Sequence, residues 1–452
     1  MSAKLTFCSG AGTVTGANFL LEFDGANILV DCGTHEQERV CGGRDLEPFP
    51  YDLASISALF VTHAHQDHIG RIPRLVRQGY TGPIFSTLAT KELAAVMFND
   101  ALGIMQEEMQ KYGCEALYEK GDVERSLALW ETHEYHEPFS SASASVEFLD
   151  AGHILGSALV KLSRNGRTIL FTGDLGNTPE PILRDCESAS GANYLVMESV
   201  YGDRVHEERA ERSEMLKRIV EDTQKRDGVL LIPSFSLERT QILLYELNDM
   251  VERRAIAPIH VYLDSPLATR ITEVFRRHTE LFNAEAQARI ARGDDPFAFK
   301  GLNIVGTSEE SRALHRKQNP KIIIAGAGMS GGGRVRAHEK EYLGSKHATI
   351  LFVGYQAPGT LGRRILDGQN RIRIDETDIR VQAKIERVSG YSGHADREQL
   401  LDFVEGAGDS LERVFVVMGE PRSSLFLAQR IRDFIGTDTV VPAAKESVTI
   451  DW

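Results

Sequence analysis

The stretch His63-Ala64-His65-Gln66-Asp67-His68 follows directly on an apolar run, Ile56 to Val61, that has the texture of a buried strand. Three imidazoles and one carboxylate in six residues is a donor density suited to Zn²⁺, which takes nitrogen and oxygen ligands. The spacing is too tight for two histidines one helical turn apart. Alternation along the loop turns His63 and His65 to one side and leaves Asp67 and His68 for a neighbouring position. Scattered histidines on a solvated loop are the ordinary alternative, and this clustering outweighs it.

Composition sets the frame for such a site. The chain has 452 residues, 42% of them hydrophobic, enough for one elaborated fold or two to three domains around sizeable cores. The formal net charge of −14 argues against a protein that coats nucleic acid through a broadly basic surface, although a local basic groove or bound cations would still hold a phosphodiester. The first residues, Met1 to Leu5, lead into a strand-like segment without an apolar leader, and nowhere do about 18 apolar residues run uninterrupted. A soluble, cytoplasmic protein without a membrane span is expected. Cys8, Cys32, Cys41, Cys114 and Cys186 contain no CxxC pair and are odd in number, so reduced thiols are expected.

One device recurs along the chain. A short Val/Ile/Leu/Phe-rich run ends in a small or polar residue and a potential ligand follows, as at Asn27 to Asp31, Ala58 to His63, Val146 to His153, Thr168 to Asp174 and Tyr194 to Glu198. A sixth case, Ile385 to Gly390, precedes Tyr391-Ser-Gly-His394. Strands whose carboxyl ends converge on one edge are how α/β sheets assemble a site from distant sequence. Between about 206 and 375 the pattern changes to alternating helix and strand. Helices are expected over 207–225, 237–253, 269–281 and 334–343, and strands over 229–233, 259–263, 321–325 and 349–354. This segment reads as a second α/β domain, 206–375, inserted between 1–205 and 376–452 of the first.

Two further residues extend the metal reading. His153 lies in Asp150-Ala-Gly-His-Ile-Leu-Gly-Ser157, where Gly152 and Gly156 let the backbone turn tightly, and is a good third ligand. Asp174 in Phe171-Thr-Gly-Asp-Leu-Gly176 ends a strand between glycines and is suited to bridging two cations; a turn-forming aspartate is the alternative use.

With Asp31, these residues resemble the signature motifs of the metallo-β-lactamase fold. The inserted segment resembles the β-CASP subfamily of nucleic-acid hydrolases through Met197 to Arg204, Pro233 to Gln241, Asp264-Ser-Pro-Leu-Ala268, Gly326 to Arg334 with His338, Val353 to Gly362, and Ser392-Gly-His-Ala-Asp396. The resemblance runs to about residue 420. It implies an αββα sandwich carrying two zinc ions at one edge, with His63, His65, His153 and Asp174 on one ion and Asp67, His68, Asp174 and His394 on the other. Asp31 would orient ligating histidines from behind. Glu198, His338 and His394 match the subfamily's three motifs, and a histidine at 394 resembles its RNA-processing branch. Glu238, Ala327 and Val200 depart from commonly found residues without removing a proposed ligand. By the same resemblance the chain is similar to bacterial and archaeal relatives of the cleavage and polyadenylation specificity factor nuclease, and a homodimer is admissible.

The residue types then suggest a mechanism. Two Zn²⁺ ions sharing Asp174 would share and ionise a water for in-line attack on phosphorus, with Asp67 and Asp174 in the catalytic centre. The leaving 3′-oxygen needs a donor, and His338 oriented by Glu198 is assigned that role. Gly326-x-Gly328-x-x-Gly331 alone would also fit a dinucleotide fingerprint, but no ribose-binding acid ends the next strand, and no Walker motif follows. Backbone amides around Gly328, Ser330, Gly331 and Gly332, with Arg334, are read as a phosphate grip; a tight strand-to-helix turn is the alternative. The helix with Met97, Met105 and Met109 covers the core. The expected function is a zinc-dependent ribonuclease acting on single-stranded RNA as an endonuclease or 5′-exonuclease. A hydrolase of small esters or thioesters and a catalytically silent RNA-binding scaffold are the competing readings.

Overall fold

The computed structural model describes residues 2–35, 43–357 and 359–452. Its contacts divide the chain into two units, Met1–Thr178 with Arg184–Val205 and His394–Trp452, and Pro179–Leu183 with His206–Gly393. Among the described residues no helix is long and apolar enough to cross a membrane.

The first unit is built on two seven-stranded sheets. One runs in the order Ser447–Asp451, Ser2–Ser9, Asn18–Phe23, Ala26–Val30, Ile56–Phe60, Ile84–Ser86, Trp130–Thr132, and the other Asp438–Val440, Arg413–Val416, Tyr194–Met197, Arg167–Phe171, Ala158–Arg164, Ala144–Asp150, Phe139–Ser141. Strand residues that alternate in the sequence put Leu5, Phe7, Phe19 and Leu21 from one sheet against Val146, Phe148, Val160 and Phe171 from the other in a shared core. The second sheet's opposite face packs through Leu159, Leu170 and Leu195 on Leu400, Val404, Leu427 and Ile431 of helices Arg397–Glu405 and Pro421–Phe434. On the first sheet's edge the helix Leu88–Tyr112 sets Phe98 beside Trp130 and its Lys91 on the Trp130 carbonyl. This is the expected αββα sandwich; on its covering helix Met105 is buried, Met97 half-buried and Met109 exposed.

The second unit has a six-stranded, all-parallel sheet ordered Leu302–Ile304, His260–Asp264, Lys321–Gly326, Val229–Ser234, Ala348–Phe352, Lys384–Arg387. Its central strands are buried on both faces, which is why they read as unbroken apolar runs. Helices Arg209–Lys225, Arg239–Glu252, Pro266–Arg277 and Gly333–Tyr342 fall where the 3.6-residue pattern placed them.

The strand Lys384–Arg387 pairs in parallel with Ala348–Phe352, and contacts place it in the second unit, which runs to Gly393. One expectation needs correcting. Cys8, Cys32 and Cys186 are free thiols, but Cys114 is disulfide-bonded, against the expectation of reduced thiols throughout, which rested on the odd count and the lack of a CxxC pair. Cys41 lies outside the described residues.

Candidate metal centre

Asp31, Thr62, His63, Asp174 and Glu198 each follow a strand of the sandwich within a few residues, so one edge gathers them. The 63–68 loop is then stitched down by backbone bonds. The Asp67 carbonyl accepts from Ala17 N at 2.8 Å, that of His68 from Cys32 N at 2.7 Å, and that of Gln66 from Thr34 N at 2.9 Å. Gly33 permits this seat, because a Cβ there would stand 1.5 Å from the Asp67 carbonyl oxygen. His153 is carried by a loop in which Gly152, at φ 64, turns the chain.

Four donors converge. His63 Nε2 lies 3.1 Å from His65 Nδ1 and 3.3 Å from Asp174 Oδ2, and His153 Nε2 lies 3.3 Å from His65 Nδ1 and 3.5 Å from the same carboxylate oxygen. These four ligand atoms all fall within 4.8 Å of one another. On the far side of Asp174, Oδ1 is 3.4 Å from His68 Nε2, which is 3.8 Å from Asp67 Oδ2. His394 presents Nδ1 at 3.9 Å from Asp174 Oδ2 and 3.1 Å from Glu198 Oε1. Glu198 also accepts from the amides of Leu175 and Val200.

Behind these donors stands Asp31, itself buried. Its Oδ1 accepts from Thr62 N, and its Oδ2 from Thr62 Oγ1 and, at 2.7 Å, from His68 Nδ1. Thr62 Oγ1 is in turn 3.0 Å from His63 Nδ1. Protons are thereby held on the outer nitrogens of His63 and His68, and both Nε2 atoms are turned inward. Asp31 thus orients two histidines, one directly and one through a hydroxyl.

The electrostatics fit a cation. His68 Nε2 and Asp174 Oδ1 are buried and make no hydrogen bond. Such orphaned groups are costly unless something positive lies between them. Burial pushes His63, His65 and His153 down from the usual imidazole range, which keeps them neutral and able to ligate. For His68, burial works the same way, but the carboxylates of Asp174, Asp31 and Asp67 overcome it and raise it well above the ordinary value. Burial would raise Asp174, and His68 and His63 hold it well below the carboxylate range. Burial pushes Asp67 up to about 6 and raises Glu198 as well. The site therefore calls for positive charge at the point where donors meet, and a metal cofactor suits it.

In the second unit, His338 Nε2 lies 2.6 Å from Asp264 Oδ2. The carboxylate beside His338 is therefore Asp264, and the expected partner Glu198 is instead bonded to His394; strand ends pair each with the residue its own unit supplies. Asp264 also accepts from Ser311 Oγ at 2.5 Å and from Arg334 Nη1 at 2.6 Å. Arg334 is further spent on the carbonyls of Val305 and Gly306, and Ser330 donates its hydroxyl to Glu339. Neither side chain is turned to a phosphate, so any grip there falls to backbone amides near Gly331 and Gly332, where a Cβ would meet open space. The Gly328 carbonyl is held by Gln356. Thr62, Gly33, Asp264 and Ser311 were not assigned roles from sequence; for Asp264 the signal was present, since it ends a strand just as Asp31 follows one.

Residues 20–200 match the model of the metallo-beta-lactamase superfamily domain, 240–365 that of the Beta-Casp domain, and 378–442 that of the Zn-dependent metallo-hydrolase RNA specificity domain. The chain is 37% identical to Ribonuclease TTHA0252 of Thermus thermophilus, over 93% of this chain and 94% of that one. It belongs to the β-CASP family of metallo-β-lactamase-fold hydrolases. Family relatives also include the proteins named Transcription termination factor FttA from Pyrococcus abyssi, 31% identical over 99% of this chain and 71% of the relative, and from Methanocaldococcus jannaschii, 30% identical over 99% and 72%. A crystal structure of a protein of unknown function from Enterococcus faecalis aligns over the whole of both chains with a TM-score of 0.57 at 14% identity, a likeness of fold. For a β-CASP hydrolase the departures at Glu238 and Ala327 are conformationally telling: both sit at positive φ, 69° and 76°, where glycine-like backbone is required.

Proposed function

We propose that this β-CASP protein is a ribonuclease that uses two zinc ions to hydrolyse phosphodiester bonds of single-stranded RNA. The observation that carries the reading is the pair of buried atoms that make no hydrogen bond, His68 Nε2 and Asp174 Oδ1, 3.4 Å apart beside three neutral histidines. The match of 378–442 to an RNA specificity domain, and the ribonuclease among the relatives, support RNA as substrate.

His63, His65, His153 and Asp174 would hold one zinc, and Asp67, His68, Asp174 and His394 the other. When bound, zinc supplies Lewis acidity to the phosphoryl oxygens and lowers the pKa of the attacking water. The chain's own residues do the rest. Asp31 and Thr62 fix the ring orientations of His63 and His68. Asp174 stays ionised and offers one oxygen to each side. Glu198 orients His394 through Nδ1. His338, protonated, donates to the leaving 3′-oxygen, where charge builds as the P–O bond breaks.

The test uses purified zinc-loaded protein with 5′-labelled single-stranded RNA, and DNA of the same sequence, with Asp67→Asn as blank. Cutting of RNA that is lost in the blank is expected, and a ladder or released mononucleotides separates endonuclease from 5′-exonuclease action. No cutting of either polymer by protein that holds two zincs would overturn the proposal and favour an esterase or a silent scaffold. The mass of the acting species decides whether it is the homodimer that the family resemblance admits.

A further inference from the structure

The interior of the second unit contains a buried polar cluster that the reading above does not use. Asp264, at the carboxyl end of strand His260–Asp264, is fully buried and accepts from three side chains brought from 47, 70 and 74 residues downstream: Ser311, Arg334 and His338. A buried carboxylate is costly unless hydrogen-bonded and charge-compensated, and here Arg334 supplies the compensation. Burial alone would raise Asp264, and the bonds from His338, Ser311 and Arg334 hold it below the usual carboxylate range instead. The carboxylate is thus ionised, and an ionised carboxylate only accepts. His338 must therefore keep a proton on Nε2, the nitrogen that meets Asp264, and Nδ1 is the nitrogen left for chemistry. The ring itself is buried and stacked at 6.3 Å and 18° on Tyr342, so its rotation is restricted.

We propose that Asp264 is the positioning carboxylate for His338: it fixes the proton on Nε2, holds the ring through Ser311 and Arg334, and presents Nδ1–H of the imidazolium to the leaving 3′-oxygen. The inference rests on the reading of His338 as proton donor. In the step, the attacking water forms a new P–O bond and releases a proton to solvent. The P–O3′ bond breaks, its electron pair stays on the 3′-oxygen, and the Nδ1 proton of His338 completes the hydroxyl. Asp264 remains ionised throughout, and His338 is reprotonated from solvent. Arg334 is then part of the acid's scaffold, and its charge is spent on Asp264 rather than on substrate phosphate.

Two substrates decide the matter: single-stranded RNA with ordinary linkages, and the same RNA with a 3′-bridging phosphorothiolate at the cleaved position, whose thiolate leaves without a proton. Under single turnover with zinc-loaded enzyme, His338→Ala is expected to slow the oxygen substrate by roughly 100-fold or more and the sulfur substrate by no more than about 3-fold. Asp264→Asn should reproduce that selectivity, with a loss on oxygen of at least about 10-fold, and unchanged zinc content. Equal losses on both substrates, or wild-type cutting of the oxygen substrate, would overturn the positioning role while leaving His338 as acid intact. If His338→Ala itself shows no selectivity, the donor reading fails and this inference with it. A second measurement stands if Asp264→Asn does not fold. In ¹⁵N-histidine-labelled wild-type protein, the resonance pair that disappears in His338→Gln should show the proton on Nε2 at a pH where the ring is neutral, and a neutral ring protonated on Nδ1 instead would overturn the proposal.

Discussion

Replacing Asp31 by asparagine isolates what the buried carboxylate does for the metal centre. Asp31 sits at φ 59°, a left-handed position that asparagine tolerates, so the backbone cost is small. The side chain keeps its shape but loses one acceptor face. Asp31 Oδ1 serves Thr62 N, while Oδ2 serves Thr62 Oγ1 and His68 Nδ1. An amide can satisfy one side only. With its oxygen toward Thr62 N, its NH₂ meets His68 Nδ1, and the imidazole is driven to carry its proton on Nε2, the nitrogen that would ligate. Loss of such an orienting partner costs about 10–100-fold in metal affinity, or roughly 1.4–2.7 kcal/mol. The flipped amide would leave the Thr62 N–H facing a donor, at about 1–3 kcal/mol of stability, so the first arrangement is favoured. The assay is zinc competition against a chromophoric chelator, paired with thermal unfolding and RNA cleavage. The expected result is weaker zinc and slower cutting with unfolding of the zinc-free protein within a few degrees of wild type. An Asp31→Asn protein that holds zinc and cuts RNA like wild type would refute the argument that Asp31 sets the histidine tautomers.

Other outcomes follow from the same geometry. Gly33→Ala puts a Cβ against the Asp67 backbone, which cannot yield as a side chain end would, so loss of zinc and a clear fall in melting temperature are expected; normal loading would show that the 63–68 loop is seated differently. Arg334→Ala should leave the salt dependence of RNA binding unchanged, because its guanidinium faces Asp264 and two carbonyls; a slope of log K against log salt shallower by about one would place it on a phosphate after all. Burial pushes Glu339 up to about 7 from an ordinary 4.5, so the folded chain binds a proton that the unfolded chain releases in between. Its contribution is fully present below pH 4.5 and is lost as pH rises through about 7, by at most about 3 kcal/mol. Glu339→Gln should therefore flatten the pH dependence of urea unfolding between pH 5 and 8, and an unaltered slope would contradict it.

The cluster of histidines and aspartates that converges at the sandwich edge was legible in the sequence because such residues at strand ends are chemically restricted, whereas the groups that aim them were not. Thr62 is one threonine before a histidine; only the folded distance to Asp31 and His63 gives its hydroxyl a task. The direction in which Arg334 points depends on Val305 and Gly306, which no helical pattern relates to it. The sheet joined by the strand that follows 376 was hidden for a similar reason. A short apolar strand such as Lys384–Arg387 looks the same whichever sheet it joins, and the choice is made by pairing with Ala348–Phe352. Element positions, by contrast, follow from local periodicity, and the inserted helices and strands lie within a few residues of expectation.

One physical rule links the two histidine sites and would have found the missing partner. In the first unit a buried aspartate follows the strand Ala26–Val30 and uses one oxygen to accept from a hydroxyl, Thr62, and a histidine, His68. In the second, a buried aspartate ends the strand His260–Asp264 and uses one oxygen to accept from a hydroxyl, Ser311, and a histidine, His338. The difference lies in the nitrogen each carboxylate takes. Asp31 takes Nδ1 of His68 and turns Nε2 toward Asp174 and Asp67; Asp264 takes Nε2 of His338 and leaves Nδ1 as the ring's second nitrogen. In both units a carboxylate at a strand end fixes one ring nitrogen and with it the orientation of the other; either nitrogen can ligate, and His65 turns Nδ1 to the donor cluster, so the task open to each histidine is set by what its second nitrogen faces.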